Sequence, residues 1–404
     1  MRFPIEEYQR RWQGVHDELE KRGLETAVIW QRSGGGYDRL GDVFWLSNYI
    51  SGESGQLYEY DNLVGLAYAA VIMRRGHEPE LHITEPVETI HDGEVAIDAI
   101  FHHQNLAEGL AKRLRTLGIE GDVGYLGDDF LPIRLYRELV ESTPGINWVA
   151  VDELLFPIKK VKSARELDVY REGGRIVSKA LSQLMDALIA GKPESVAAAR
   201  AATIVMESGG GFHRIGVNHG ERSKKSMWSD NLYGFRTDAA EPGELVRGWV
   251  YGPIHQGYWL DPGRIAVAGN KPSPQQKKTI EGAVRIVEQV MDEIKPGITP
   301  RQLGKRGDEV ALKEGFDKDK QEAALWDIYG HSVGTYFEPP MIPAFKSDDE
   351  RFSWGVDEPL EAGMVLGIET FLTHPDVGTA SLEENCIITE SGCEVITTTP
   401  KIFW

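Results

Sequence analysis

The stretch GMVLGIETF (363–371), followed by ASLEENCIIT (380–389) and CEVIT (393–397), decides how this chain folds. All three runs have the composition of strands bounded by turn residues. Glu369 nevertheless stands inside the first run and the pair Glu383-Glu384 inside the second. An ionised carboxylate in a buried strand is costly unless it is paired or bound to a cation. Upstream of these runs lie helices with clear boundaries. Ser273-Pro274 with Gln276 opens one, with a buried stripe of Ile280, Ala283, Val284, Val287, Val290, Met291 and Ile294. Pro296-Gly297 ends it, and Thr299-Pro300 with Gln302 opens the next, which runs to Gly315. Earlier still, Ser163-Ala-Arg-Glu166 forms a capping box before a long helix carrying Val169, Ile176, Val177, Ala180, Leu184 and Leu188. The second half therefore reads as α+β, with long helices packed over an antiparallel sheet.

The first half alternates differently. Residues 4–22 form an amphipathic helix with Trp12, Val15 and Leu19 at helical spacing, and Gly23 stops it. ETAVIW (25–30), DVFWLSNY (42–49) and LVGLAYAAVIM (63–73) read as strands, and a helix at 106–116 precedes a strand within LGIEGDVGYLG (117–127). Such alternation is that of an α/β domain. The expected division is an N-terminal domain at 1–158 and a second domain at 159–404. Gly34–Gly36 has neither a helix-opening GxGxxG nor a following Lys-Ser/Thr, so it reads as a turn and not as a phosphate loop.

At 404 residues the chain is long enough to bury two cores without staples. Its 41% hydrophobic and 26% charged content is that of an ordinary soluble protein, and its net charge is −19. Nucleic-acid backbones and anionic membranes both need surplus Lys and Arg, so neither is expected as a partner. Two cysteines, Cys386 and Cys393, cannot build a disulfide framework or a thiolate zinc cage, which points to a reducing, cytoplasmic setting. No apolar run reaches membrane-spanning length, and MRFPIEEYQRRW lacks the apolar region of a signal peptide.

Polar residues in strand-like surroundings mark the candidate chemistry. VYGPIHQGYWLDPGR (250–264) carries Asp261, and YGHSVG (329–334) carries His331. Together with Glu369 and Glu383-Glu384 they can converge as oxygen and nitrogen ligands for manganese, iron, cobalt or zinc. The competing reading is a set of edge-strand charges facing solvent. His255 and Tyr258 flank the Asp261 turn and either line a pocket or pack beneath the sheet.

The ordered series of KSARELDVYREGGRIVSKAL, EIKPGITPRQL, LEAGMVLGIETF and EENCIITESGCEVIT resembles the pita-bread metallopeptidase family, which includes methionine aminopeptidase, aminopeptidase P, prolidase and creatinase. EEYQRRWQGVHDELEKRGLETAVI and FWLSNY are similar to that family's N-terminal domain. The resemblance implies a creatinase-like N-terminal domain and a pita-bread catalytic domain. It also implies a metal set of two aspartates eleven residues apart, a histidine and two glutamates. On this chain the matching positions are Asp261, His331, Glu369 and Glu383. Adjacent strand residues point to opposite faces, so one of Glu383 and Glu384 reaches the site, and the family's offset favours Glu383. The first aspartate's position holds Val250, which cannot coordinate a cation. In the family that aspartate serves mainly the second metal of a pair. The expectation is one divalent ion or, as in creatinase-like members, none.

Other departures accompany this one. Glu338 stands seven residues after His331, where peptidases have a second histidine, and is expected to act as a base, a substrate-amine anchor or a salt-bridge partner. Phe337 occupies the position of the catalytic aspartate of a related sulfonium-cleaving lyase and cannot abstract a proton. In the loop 209–238, creatinase's histidine falls near Tyr233, leaving His213 and His219 as substitutes. Arg222, Lys224 and Lys225 there either attract an anion or form an exposed patch. The resulting expectation is a homodimeric hydrolase of a C–N bond in a small molecule or short peptide. His331, Glu369, Glu338 and Glu383 would carry the chemistry, with His255, Tyr258 and His219 binding substrate. Residues 53–60 of one subunit are expected to contribute to the other's pocket. An Xaa-Pro metallopeptidase is the alternative, followed by a sulfonium-cleaving lyase and a non-catalytic binding module.

Overall fold

The computed structural model describes residues 3–32, 41–51, 65, 67–90, 94–224, 228–316, 328–345, 354–374 and 376–404. Gly34–Gly36, the segment 53–60 and Lys225 lie outside them. The chain divides into two compact units, Met1–Lys159 and Lys160–Trp404.

In the first unit a six-stranded mixed sheet has the order β4-β3-β2-β1-β5-β6. Its strands are β1 (Thr26–Arg32), β2 (Tyr68–Arg74), β3 (Glu80–Ile83), β4 (Ala99–His102), β5 (Gly121–Leu126) and β6 (Ile146–Ala150). Helices α1 (Ile5–Lys21), α2 (Gly41–Ser47), α3 (Leu106–Thr116), α4 (Ile133–Ser142) and α5 (Phe156–Lys159) accompany it. One core contains Trp12, Val15 and Leu19 of α1, and a second contains Leu106, Leu110 and Leu114 of α3.

The segment DVFWLSNY departs from its strand expectation. Residues Gly41–Ser47 are helical, although Val, Phe and Trp favour strands locally. Tertiary contacts override that preference. Arg11 Nη1 donates to the Trp45 carbonyl at 2.5 Å and Trp12 Nε1 to the Leu46 carbonyl at 2.8 Å, satisfying the last carbonyls of a short helix. Asp42 near its start is buried against Lys159 Nζ at 3.1 Å.

The second unit holds a nine-stranded antiparallel sheet with the path β12-β11-β13-β14-β10-β8-β7; β15 pairs with β14 and β9 with β8. The strands are β7 (Arg214–His219), β8 (Leu245–His255), β9 (Tyr258–Leu260), β10 (Gly263–Val267), β11 (Ile328–Val333), β12 (Phe337–Pro343), β13 (Val365–His374), β14 (Gly378–Ile388) and β15 (Cys393–Val395). The helices are α6 (Ala164–Ile189), α7 (Glu194–Glu207), α8 (Glu221–Lys224), α9 (Pro274–Glu293) and α10 (Pro300–Glu314). Capping boxes at Ser163, Ser273 and Thr299 start α6, α9 and α10. Val284, Val287, Val290 and Met291 of α9 pack on Leu366, Ile368 and Leu372 of β13 and on Leu382, Cys386 and Ile388 of β14. Alternation then turns Gly367, Glu369 and Phe371, with Ser381, Glu383 and Asn385, to the opposite face. A helix-covered face and a polar face are thus built from the same two strands.

Candidate metal centre

Four elements bring their polar residues together on that second face. Glu369 of β13 and Glu383 of β14 are direct cross-strand partners, and His331 of β11 pairs with Gly367. Asp261 follows β9 immediately. His331 Nε2 lies 3.3 Å from Asp261 Oδ2, 3.7 Å from Glu369 Oε1 and 3.7 Å from Glu383 Oε1. All four side chains are buried. Ligand atoms of Asp261, His331 and Glu383 lie within 4.8 Å of one another.

Three of the four ligands are aimed by a second partner. His331 Nδ1 donates to the Ser332 carbonyl at 3.1 Å, which leaves the Nε2 lone pair facing the cluster. Asn385 Nδ2 donates to Asp261 Oδ1 at 2.5 Å, and the Asn385 side-chain oxygen accepts from the Asp261 amide at 3.0 Å. Trp249 Nε1 donates to Glu383 Oε2 at 2.7 Å. The remaining oxygens, Asp261 Oδ2 and Glu383 Oε1, are buried and accept no hydrogen bond from any described residue. Two orphaned carboxylate oxygens beside an imidazole lone pair suit a divalent cation. Gly367 keeps the space open, since a Cβ there would lie 2.9 Å from Glu383 Oε1 and 3.1 Å from Asp261 Oδ1. Without a cation the charges conflict. Burial pushes the Glu369 carboxyl well above the ordinary carboxylate range, and the charge of Asp261 adds to that. Glu383 rises for the same reasons, Glu369 adding to Asp261, while the Trp249 hydrogen bond opposes.

Glu384 lies on the helix-side face, where Arg264 Nη2 donates to it at 2.7 Å and the Thr397 hydroxyl also donates. Val250, eleven residues before Asp261, lies buried within β8. Gly248 faces α6, a Cβ there lying 2.7 Å from Leu184 Cδ2, and Val250 shares that face. The side chain that β8 sends to the carboxylates is the indole of Trp249. It stacks on Phe371 with centroids 5.3 Å apart and meets Trp228 edge-on at 5.2 Å.

The remaining candidates are engaged with partners other than the four ligands, or wall the site. Glu338 is buried and 3.3 Å from Lys162 Nζ, an ion pair that occupies its charge. Phe337 forms a wall of the site, its ring edge-on to His331 at 4.7 Å. Tyr258 donates to Glu166 Oε1 at 2.9 Å and packs on Tyr170, so it ties β9 to the start of α6. His255 is half-buried against Gly173 of α6. Its ring is held below the usual histidine range by burial, with Glu172 opposing. His219 is engaged on both ring nitrogens, with Glu194 Oε1 at 2.7 Å and Asp238 Oδ2 at 3.5 Å. His213 packs on Trp259 at 5.6 Å, and Tyr233 is exposed. Arg222 donates to the Trp228 carbonyl and Lys224 pairs with Glu221, which engages both described members of the basic cluster.

Sequence reading missed Asn385, Trp249, Gly367 and Arg247. Asn385 and Arg247 share the signal that exposed Glu369, a polar residue inside an apolar strand. Arg247 is fully buried on β8, two residues before Trp249 and on the same face. Burial pushes its guanidinium down to about 9.

Comparison with known proteins comes to the same architecture. The sequence model described as "Metallopeptidase family M24" matches residues 168–390. An Xaa-Pro dipeptidase of Pyrococcus furiosus is 23% identical over 304 residues, 72% of this chain and 76% of that protein. A methionine aminopeptidase of Haemophilus influenzae is 27% identical over 162 residues, 36% of this chain and 56% of that protein. Among solved structures, the prolidase of Pyrococcus horikoshii superposes with a TM-score of 0.76 at 20% identity, covering 97% of this chain and 99% of that one. A dipeptidase of Mycobacterium ulcerans gives 0.75 at 21% identity, covering 100% and 99%. No described helix is long and apolar enough to cross a membrane.

Proposed function

This chain belongs to metallopeptidase family M24, and we propose that, as a hydrolase of that family, it cleaves a C–N bond in a short peptide or small molecule with one divalent cation held by Asp261, His331, Glu369 and Glu383. The observation that carries the reading is the pair of buried, unpartnered oxygens, Asp261 Oδ2 and Glu383 Oε1, beside His331 Nε2. When bound, a divalent cation supplies a Lewis acid that polarises the scissile carbonyl and acidifies water. The protein's part is orientation and proton transfer. The Ser332 carbonyl fixes the His331 tautomer, Asn385 holds Asp261, and Trp249 holds Glu383. Glu369 is placed to take a proton from the attacking water and return it to the departing nitrogen. Phe337 and Trp249 keep bulk water from the reacting groups.

A single cation is favoured because the position eleven residues before Asp261 holds Val250, which offers no ligand atom. The names of the Pyrococcus relatives support a dipeptide with proline after the scissile bond as the first substrate to try. A small carboxylate-bearing amide is the next. Homodimeric assembly and a cytoplasmic location belong to the same reading. The free thiols of Cys386 and Cys393 are compatible with a reducing compartment, and sedimentation equilibrium in solution would test the dimer.

The test is elemental mass spectrometry on purified protein before and after chelation, beside Glu383→Ala, followed by hydrolysis of Xaa-Pro and other dipeptides with manganese, iron, cobalt or zinc. About one equivalent, lost in the variant, and cleavage that requires the metal are expected. A protein that takes up no metal at all would overturn the reading.

A further inference from the structure

Arg247 is a cation buried in the second unit with no counter-ion among the described residues. Its Nε donates to Asn218 Oδ1 at 3.0 Å and its Nη1 to the Ser381 hydroxyl at 3.3 Å, both neutral partners. Its Nη2 makes no hydrogen bond to any described residue. The partly exposed Trp228 ring lies over the guanidinium carbon at 4.6 Å. A buried charge left in this state is expensive, and the remedy is an anion that accepts from the open edge of the fork. Position identifies the anion's owner. Ser381 precedes Glu383 by two residues on β14, so the guanidinium sits about 7 Å along the strand from the metal ligands and on their face.

We infer that Arg247, with Ser381 beside it, binds the carboxylate of the substrate, placed one residue beyond the scissile bond. One residue spans about 3.5 Å, and a charge-assisted hydrogen bond adds about 2.8 Å. A terminal carboxylate at that spacing therefore reaches Nη2 while the preceding carbonyl stays at the centre. A longer peptide offers a neutral carbonyl there and leaves the guanidinium charge uncompensated. The Ser381 hydroxyl accepts from Nη1 and keeps its own hydrogen for the same carboxylate. Trp228 covers one face of the guanidinium. The substrate class that follows is a dipeptide or an N-acylated amino acid with a free acid.

This inference rests on the hydrolase reading, and the experiment separates the two. Isothermal titration of the metal-loaded protein with proline, alanine and leucine, the carboxylate-bearing products of such a cleavage, each against its amide, measures the anchor without turnover. The wild type is expected to bind at least one acid about 10- to 100-fold more tightly than its amide. Arg247→Met should reduce that ratio to within about twofold with metal content unchanged, and Arg247→Lys, which keeps charge but not the fork, should fall between them. Should Arg247→Met fail to fold, Ser381→Ala decides, with a weakened acid and an unchanged amide expected. Equal binding of acids and amides, or a preference that survives in the variants, overturns the anchor. An acid preference in a protein that hydrolyses no dipeptide upholds the anchor and sinks the hydrolase reading. Hydrolysis of dipeptides and their amides at equal rates does the reverse.

Discussion

Glu383 and Glu384 are neighbours on one strand, equally buried, and chemically identical, yet their environments are opposites. Glu384 faces the helices and is fully satisfied by Arg264 and Thr397. Glu383 has one oxygen on Trp249, while the other accepts no hydrogen bond from any described residue. Local sequence cannot separate them, because both are a carboxylate inside an apolar run. The difference is made by what the sheet places across from each. A structural carboxylate has its partners inside the protein, whereas a binding carboxylate has a valence left over for something that arrives later.

Breaking each glutamate sharpens the contrast most. Glu384→Gln leaves Arg264 buried without its counter-charge and is expected to cost about 3–5 kcal/mol in denaturant unfolding, with metal content retained. Glu383→Gln should leave the unfolding free energy unchanged or higher, because it removes one of several clustered like charges, while metal affinity falls by more than about 100-fold in a competitive chelator titration. A destabilised Glu383→Gln that still held its metal would reverse the assignment of the two faces.

The pH response of chelator-stripped protein is the next largest effect. Glu369 and Glu383 hold protons more tightly in the folded than in the unfolded chain, so the native state binds more protons above the ordinary glutamate pKa. Stability of the stripped protein should therefore fall as pH rises from that value through the raised folded values, by up to about 1.4 kcal/mol per pH unit for each proton held. Thermal unfolding across this range should show the decline. Glu369→Gln, or saturating metal, should flatten it.

Smaller effects come from the residues that aim the ligands. Trp249→Phe and Asn385→Ala should each weaken metal binding about 10- to 100-fold, read by the same titration. If Trp249→Phe bound metal as the wild type does, the indole would be packing and not orientation. The smallest functional change is expected for His219→Gln. That substitution should lower stability by about 1–3 kcal/mol through Glu194 and leave kcat/KM within about twofold, because His219 is engaged away from the cluster.

Much of this was legible without coordinates. The capping boxes at Ser163, Ser273 and Thr299 fix helix starts through hydrogen bonds made within four residues, so a short window of sequence contains the whole cause. Membership of the family was readable from an ordered series of motifs. The helix at Gly41–Ser47 was not, because the side chains that satisfy its carbonyls are Arg11 and Trp12, more than thirty residues away. The aim of Trp249, the place of Asn385 and the open edge of Arg247 also depend on which strands lie side by side. Sequence determined that Asp261, His331, Glu369 and a glutamate at 383 or 384 were out of place in a core. Only the tertiary structure decided which valences remain open, since an unsatisfied atom is defined by every neighbour that the fold brings to it or withholds.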